Sequence, residues 1–119
     1  MEKILPIQSV DKKINRQMSV LIGNYEFYYA AGVFSAIFGV ELDPKMDPVS
    51  LKKVVDEYIK NNNLVANEPS PEQIAGDSDD FEDKKGYLVY LMNRYEIIEQ
   101  YDDVMVDLYS DGFNNWSNK

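Results

Sequence analysis

Apolar and polar positions recur along this chain with the periods of helices. The densest apolar block is Tyr25 to Val40, YEFYYAAGVFSAIFGV, in which Glu26 is the only charge. Phe27, Ala30, Ala31, Phe34 and Phe38 fall at i, i+3, i+4, i+7 and i+11, and Val33, Ile37 and Val40 make an adjacent stripe. The apolar arc is therefore wider than a helix with one face in water shows, and the spacing predicts a central helix. Asn24 stands where an N-cap belongs, Glu26 sits in the favourable first turn, Gly39 supplies the stop, and Asp43-Pro44 forces a turn or extended geometry beyond it. Ala30, Ala31, Gly32, Ser35 and Ala36 form a small-residue surface that a second helix can approach closely. The block falls short of the roughly 20 apolar residues that a bilayer requires and lacks basic flanks, so no membrane insertion is expected. A cofactor pocket lined by Phe27, Phe34 and Phe38 is the alternative to plain core, and aromatic residues at helical spacing favour core.

The clearest amphipathic pattern follows. Asp47 as N-cap and Pro48 at the first helical position open a helix over 48–60, with Leu51, Val54, Val55, Tyr58 and Ile59 on its apolar face. Lys52 with Asp56 and Lys53 with Glu57 make i, i+4 pairs on the other face, and Asn61-Asn62-Asn63 ends the helix. Upstream, an extended arm over 1–10 precedes a helix over 12–22 capped by Asp11, with Gly23-Asn24 as the turn into the apolar block. The alternative there is a hairpin pairing 18–22 with 25–29, which makes the fold α+β.

Downstream, residues 64–85 read as an acidic connector with Pro69 and Pro71, one turn of helix over 70–75, and the run Asp77, Asp79, Asp80, Glu82, Asp83. A calcium loop counted from Asp77 requires glycine sixth and glutamate twelfth, where Glu82 and Leu88 stand, so a solvated loop is the better reading. From about Gly86 to Ser110 the apolar residues fall into heptad spacing at Tyr87, Leu91, Ile98, Tyr101, Met105 and Leu108, broadened by Leu88 and Tyr95 and interrupted by Arg94. The spacing predicts one long helix, whose stripe also suits a homodimer. Asp111-Gly112 ends it, and the tail carries Phe113 and Trp116, which either fold back over the core or anchor a partner. The expected fold is mainly α: a small single-domain bundle of about four helices spanning 1–119. Its expected core is Phe27, Phe34, Ile37, Phe38, Leu51, Val55, Tyr58, Leu91 and Ile98.

Composition narrows the chemistry. The 119 residues include no cysteine and no histidine, which removes disulfides, thiolate sites, the usual general base and the commonest metal ligand. No glycine-rich phosphate loop or nucleophile elbow is present, so no catalytic, cofactor-binding or metal residue is assigned and the chain reads as a non-enzyme. The N-terminus lacks a secretory signal pattern, and a cytoplasmic location is expected. Residues 1–63 are balanced in charge, so the whole net charge of −9 falls after residue 63. That disfavours direct binding of nucleic acid and points to a basic partner.

The candidate partner-binding residues lie on the predicted long helix. Glu96, Glu99, Asp103 and Asp107 stand at i, i+3, i+7 and i+11, with Asp102 beside them. On one helix, such a stripe carries like-charge repulsion of about 0.2–0.5 kcal/mol per pair and sits toward the C-terminus, where the macrodipole disfavours anions. A doubly unfavourable feature suggests a use. The reading is a non-catalytic interaction module, an inhibitor, adaptor or assembly factor, docking on a basic surface of a partner such as a nucleic-acid-binding protein by mimicking a phosphate backbone. Small acidic mimics of nucleic acid and phage accessory proteins share this general character, though no motif assigns a family. The alternatives are an assembly chaperone using its apolar helix faces and a small enzyme using carboxylates alone.

Overall fold

The computed structural model describes residues 22–67 and 81–117. Within them are four α-helices and no strand: α1 Ile22–Phe38, α2 Pro48–Asn61, α3 Phe81–Arg94 and α4 Asp103–Ser117. The chain forms a small helical bundle, as the periodicity predicts. The hairpin alternative is excluded because residues 25–29 lie within α1. The extended arm, the helix over 12–22 and the turn over 70–75 fall outside the described residues.

α1 is the axis of the bundle. From Asn24 to Ser35 every residue is buried except Glu26, which is half-buried, because α1 packs extensively on α4 and more lightly on α3 and α2. Two glycines set the α1–α4 approach. A Cβ on Gly32 would stand 2.8 Å from the Phe113 amide nitrogen and closer still to the Tyr109 carbonyl oxygen. One on Gly112 would stand 3.1 Å from the Val33 nitrogen and closer still to the Tyr29 carbonyl oxygen. The two helices therefore cross backbone against backbone, each through the glycine of the other. Gly112, expected to end the last helix, instead lies inside it, and α4 continues to Ser117 with Trp116 buried and Phe113 exposed at its edge.

The cap signals around α1 and α2 divide. Gly39 is at φ 69°, where its amide takes the Ser35 carbonyl at 2.9 Å, so the expected stop is the stop found. Asp47 caps α2 by accepting the Ser50 amide at 3.1 Å, and that contact, led by hydrogen bonding from Ser50, lowers its carboxyl pKa. Gly23 and Asn24, expected as a turn and an N-cap, are helical. The connector is shorter than predicted, since α3 begins at Phe81 and takes in Glu82 and Asp83.

In the core, Phe27, Phe34, Leu51, Val55 and Leu91 are buried, and Ile37, Phe38 and Tyr58 pack half-buried against them. Phe34 meets Phe38 at 4.5 Å between ring centroids and Tyr58 edge-on at 5.7 Å, joining α1 to α2. Val54 and Ile98 are exposed, at 37% and 43%. Ile98 leaves the core because the predicted long helix is two helices. Among the described residues, no helix is long and apolar enough to cross a membrane.

The glycine crossing makes a definite prediction. Gly32→Ala and Gly112→Ala each gain up to about 1 kcal/mol of helix propensity yet force two backbones apart, at an overpacking cost of about 1–3 kcal/mol or more. Both variants are expected to be less stable than the parent, read as a lower urea midpoint at unchanged m value.

Candidate functional site

The segment between α3 and α4, residues 95–102, contains no glycine or proline, and nothing local obliges the helix to break there. Length supplies one reason. An unbroken helix over 81–117 would measure about 55 Å at 1.5 Å per residue, against a longest extent of 33 Å for the molecule. The chain must turn for Met105, Leu108 and Trp116 to reach α1.

The turn is held by the buried side chain of Asn24. Its Nδ2 donates to the Ile98 carbonyl at 2.8 Å and to the Gln100 carbonyl at 3.0 Å, while its Oδ1 accepts the Ile98 amide at 3.0 Å. Both amide protons and the acceptor are used, on backbone groups that a helix would have paired along its own axis. Asp102 then starts α4. Its Oδ1 accepts the Val104 amide at 3.0 Å, its carbonyl accepts the Met105 amide at 3.0 Å, and its Oδ2 accepts the Tyr25 hydroxyl at 3.0 Å. Two consecutive α1 residues thus fix the segment, Asn24 by its backbone and Tyr25 by its last side chain.

This geometry corrects the carboxylate stripe. Glu96, Glu99 and Asp102 lie on the irregular segment, and only Asp103 and Asp107 share a helix, so the five do not form a regular row. The dipole argument reverses as well, because Asp103 occupies the first turn of α4, where a negative charge is favourable. Asp102 is a structural cap, half-buried, whereas Glu96, Glu99, Asp103 and Asp107 are exposed. Among the described residues none of those four is ion-paired. The pair Lys52–Asp56 does form, at 3.3 Å, and the same ammonium reaches the Met92 carbonyl at 2.9 Å at the end of α3. Arg94 turns back on its own helix, donating to the Tyr90 hydroxyl at 2.6 Å.

Tyr101 gathers the charges. It is 40% exposed, its ring sits edge-on to Tyr28 at 6.3 Å, and its hydroxyl pKa is raised, by burial first and then by the carboxylates of Asp103, Asp43 and Asp102. Asp43 comes from the loop between α1 and α2, and sequence spacing gave no sign of it. That loop is anchored by the Tyr28 hydroxyl, which donates to the Met46 carbonyl. Beneath the segment, Tyr95 packs edge-on against Phe27 at 6.0 Å, and its hydroxyl, like that of Tyr87, is buried with no hydrogen-bond partner among the described residues. Burial, and after it the charge of Glu26, raises both of their pKa values.

The buried Asn24 side chain carries a clear consequence. Asn24→Ala leaves the Ile98 amide and the Gln100 carbonyl without their partner, at about 1–3 kcal/mol, while the Ile98 carbonyl keeps the Gln100 amide. The variant is expected to speed hydrogen exchange at Ile98 before any change in α2. The tyrosines set an alkaline limit. Burial, followed by the hydrogen bond and charge of Asp102, pushes the Tyr25 hydroxyl up to about 12 from its ordinary 10.0, so the folded state retains a proton that the unfolded chain has lost. Its contribution is complete below about pH 10 and declines as the pH rises toward about 12; denaturant titrations across that range are expected to show a shallower decline for Tyr25→Phe.

Searches of the curated proteins and of the solved structures return no match to the chain. A family profile matches residues 1–115, and on that extent the chain belongs to the DUF3837 family, a domain of unknown function.

Proposed function

We propose that this protein is a non-catalytic interaction module that docks a basic protein surface on the face formed by the segment 95–102 and the first turns of α4. The observation that carries this reading is that exposed Asp103 of α4 and exposed Asp43 of the α1–α2 loop act together on the half-exposed Tyr101, with exposed Glu96, Glu99 and Asp107 on the adjoining segment and helix and none of the five ion-paired among the described residues. Glu96 and Glu99 come from the segment, Asp103 and Asp107 from α4, and Asp43 from the α1–α2 loop beside Tyr101.

The support is physical. Exposed carboxylates on a backbone fixed by Asn24 and Asp102 lose little freedom when a partner binds, and their field steers a basic surface toward them at low ionic strength. An aromatic ring within such a field suits arginine, which stacks on the ring and pairs with carboxylates. Phosphate-backbone mimicry loses its support, because the regular helical spacing on which it rested is absent. An inhibitor, an adaptor and an assembly factor are all served by such a face.

Affinity capture from the native host with the parent and with Glu99→Lys combined with Asp107→Lys tests the proposal. Both residues are exposed and neither holds the backbone, so stability is expected to change by less than about 0.5 kcal/mol per site. A basic protein retained by the parent at low salt should be released as salt rises and should bind the reversed variant at least tenfold more weakly. Capture that is equal for both proteins, or indifferent to salt, refutes the proposal.

A further inference from the structure

Where α1 ends against α4 there is a cleft of about 520 Å³, lined by Ser35, Gly39, Val40, Glu41, Tyr109 and Phe113 among others. It lies outside the face described above and beyond the glycine crossing. Its floor is rigid. The Tyr109 hydroxyl reaches both the Leu42 carbonyl, at 3.2 Å, and the buried Ser35 hydroxyl, and all three groups are satisfied when Ser35 donates to Tyr109 and Tyr109 donates to Leu42. The polar groups of the floor are thereby spent on one another, and the loop carrying Val40 and Glu41 is tied to α4.

Among the described residues, the remaining groups carry one sign. Phe113 is 39% exposed and offers a ring at the wall, and Val40 and Ala36 complete an apolar lining. The Glu41 carboxylate stands exposed at the mouth with no ion pair among the described residues. α1 also ends there. Of its last-turn carbonyls, that of Ser35 takes the Gly39 amide, and those beyond it have no partner in the helix's own ladder, so the negative end of the macrodipole lies at the cleft. Among the described residues, no lysine or arginine lines the cleft.

From this combination we infer that the cleft binds a small organic cation, an ammonium, amidinium or guanidinium group on a compact apolar body. The body lies against Val40 and the Phe113 ring, and the charged group meets Glu41 and the carbonyl end of α1. The volume falls within the range of small-molecule sites. A neutral isostere forgoes the attraction to the mouth and an anion is repelled by it. Among the described residues the cleft offers a metal ion one carboxylate, so an organic cation is the class it fits.

The test uses benzamidine, with neutral benzamide and anionic benzoate as probes of the same shape, followed in amide proton–nitrogen spectra of the full chain. Benzamidine is expected to shift Gly39, Glu41, Phe113 and Ser117 saturably, with affinity at least fivefold above benzamide and no detectable benzoate binding. Glu41→Gln should remove most of the preference over benzamide, and Phe113→Leu should weaken benzamidine severalfold while leaving the spectrum dispersed. Equal affinity for benzamidine and benzamide, shifts mapping elsewhere, no saturable binding, or a preference unchanged by Glu41→Gln overturns the inference. The comparison among three probes on the parent protein holds even if a variant folds poorly.

Discussion

The backbone-to-backbone crossing of α1 and α4 is the constraint on which the rest of the structure depends. Gly32 and Gly112 each accept the opposite helix where a Cβ would collide with main-chain atoms, and main chain has little room to give. This approach brings the large residues on either side, Tyr25, Tyr28 and Tyr29 on α1 and Met105, Tyr109 and Trp116 on α4, into the same buried layer. Dispersion and apolar burial then act over the whole length of both helices. α2 and α3 complete the cover through Leu51, Val55, Leu88 and Leu91.

A helix buried on nearly every side must place its polar atoms with care, and α1 does so by tying down loops. Asn24 holds the segment between α3 and α4, Tyr25 holds the cap of α4, Tyr28 holds the loop before α2, and Ser35 with Tyr109 holds Leu42. Each bond satisfies a side chain that would be costly to bury alone, and each fixes a stretch of backbone that would otherwise be free. The irregular segments are thus as strongly determined as the helices, although by contacts distant in sequence.

That coupling bears on function. Both faces proposed to bind, the carboxylates beside Tyr101 and the cleft at Gly39, are built on backbone that buried side chains hold, Asn24 of α1 for the first and Tyr109 of α4 with Ser35 of α1 for the second. Charge on a fixed frame recognises a partner at lower entropic cost than charge on a mobile one. The two faces lie at different ends of α4, one beside Asp102 at its start and the other beside Phe113 and Ser117 at its close.

The sequence alone determined the fold class, the central helix with its small-residue surface, its end at Gly39, and the bounds of α2 from its Asp47 cap to its asparagine run, though not the exposure of Val54. These features depend on side-chain periodicity and on caps that act within a few residues, so they are local. It also marked which carboxylates are candidates. The tertiary structure alone decided that heptad-spaced residues belong to two helices, because the break between Arg94 and Asp103 is held by the buried side-chain amide of Asn24, 74 residues before Ile98, rather than by any local breaker. Asp102 followed by Asp103 was a start signal in plain sight, masked by an apolar spacing that ran through it. Gly112 misled for a related reason: glycine allows both a helix to stop and another helix to touch, and only the position of Tyr29 on the neighbouring helix distinguishes the two. Asp43 joined the carboxylates around Tyr101 for the same reason, since proximity between distant segments is a property of packing and not of spacing.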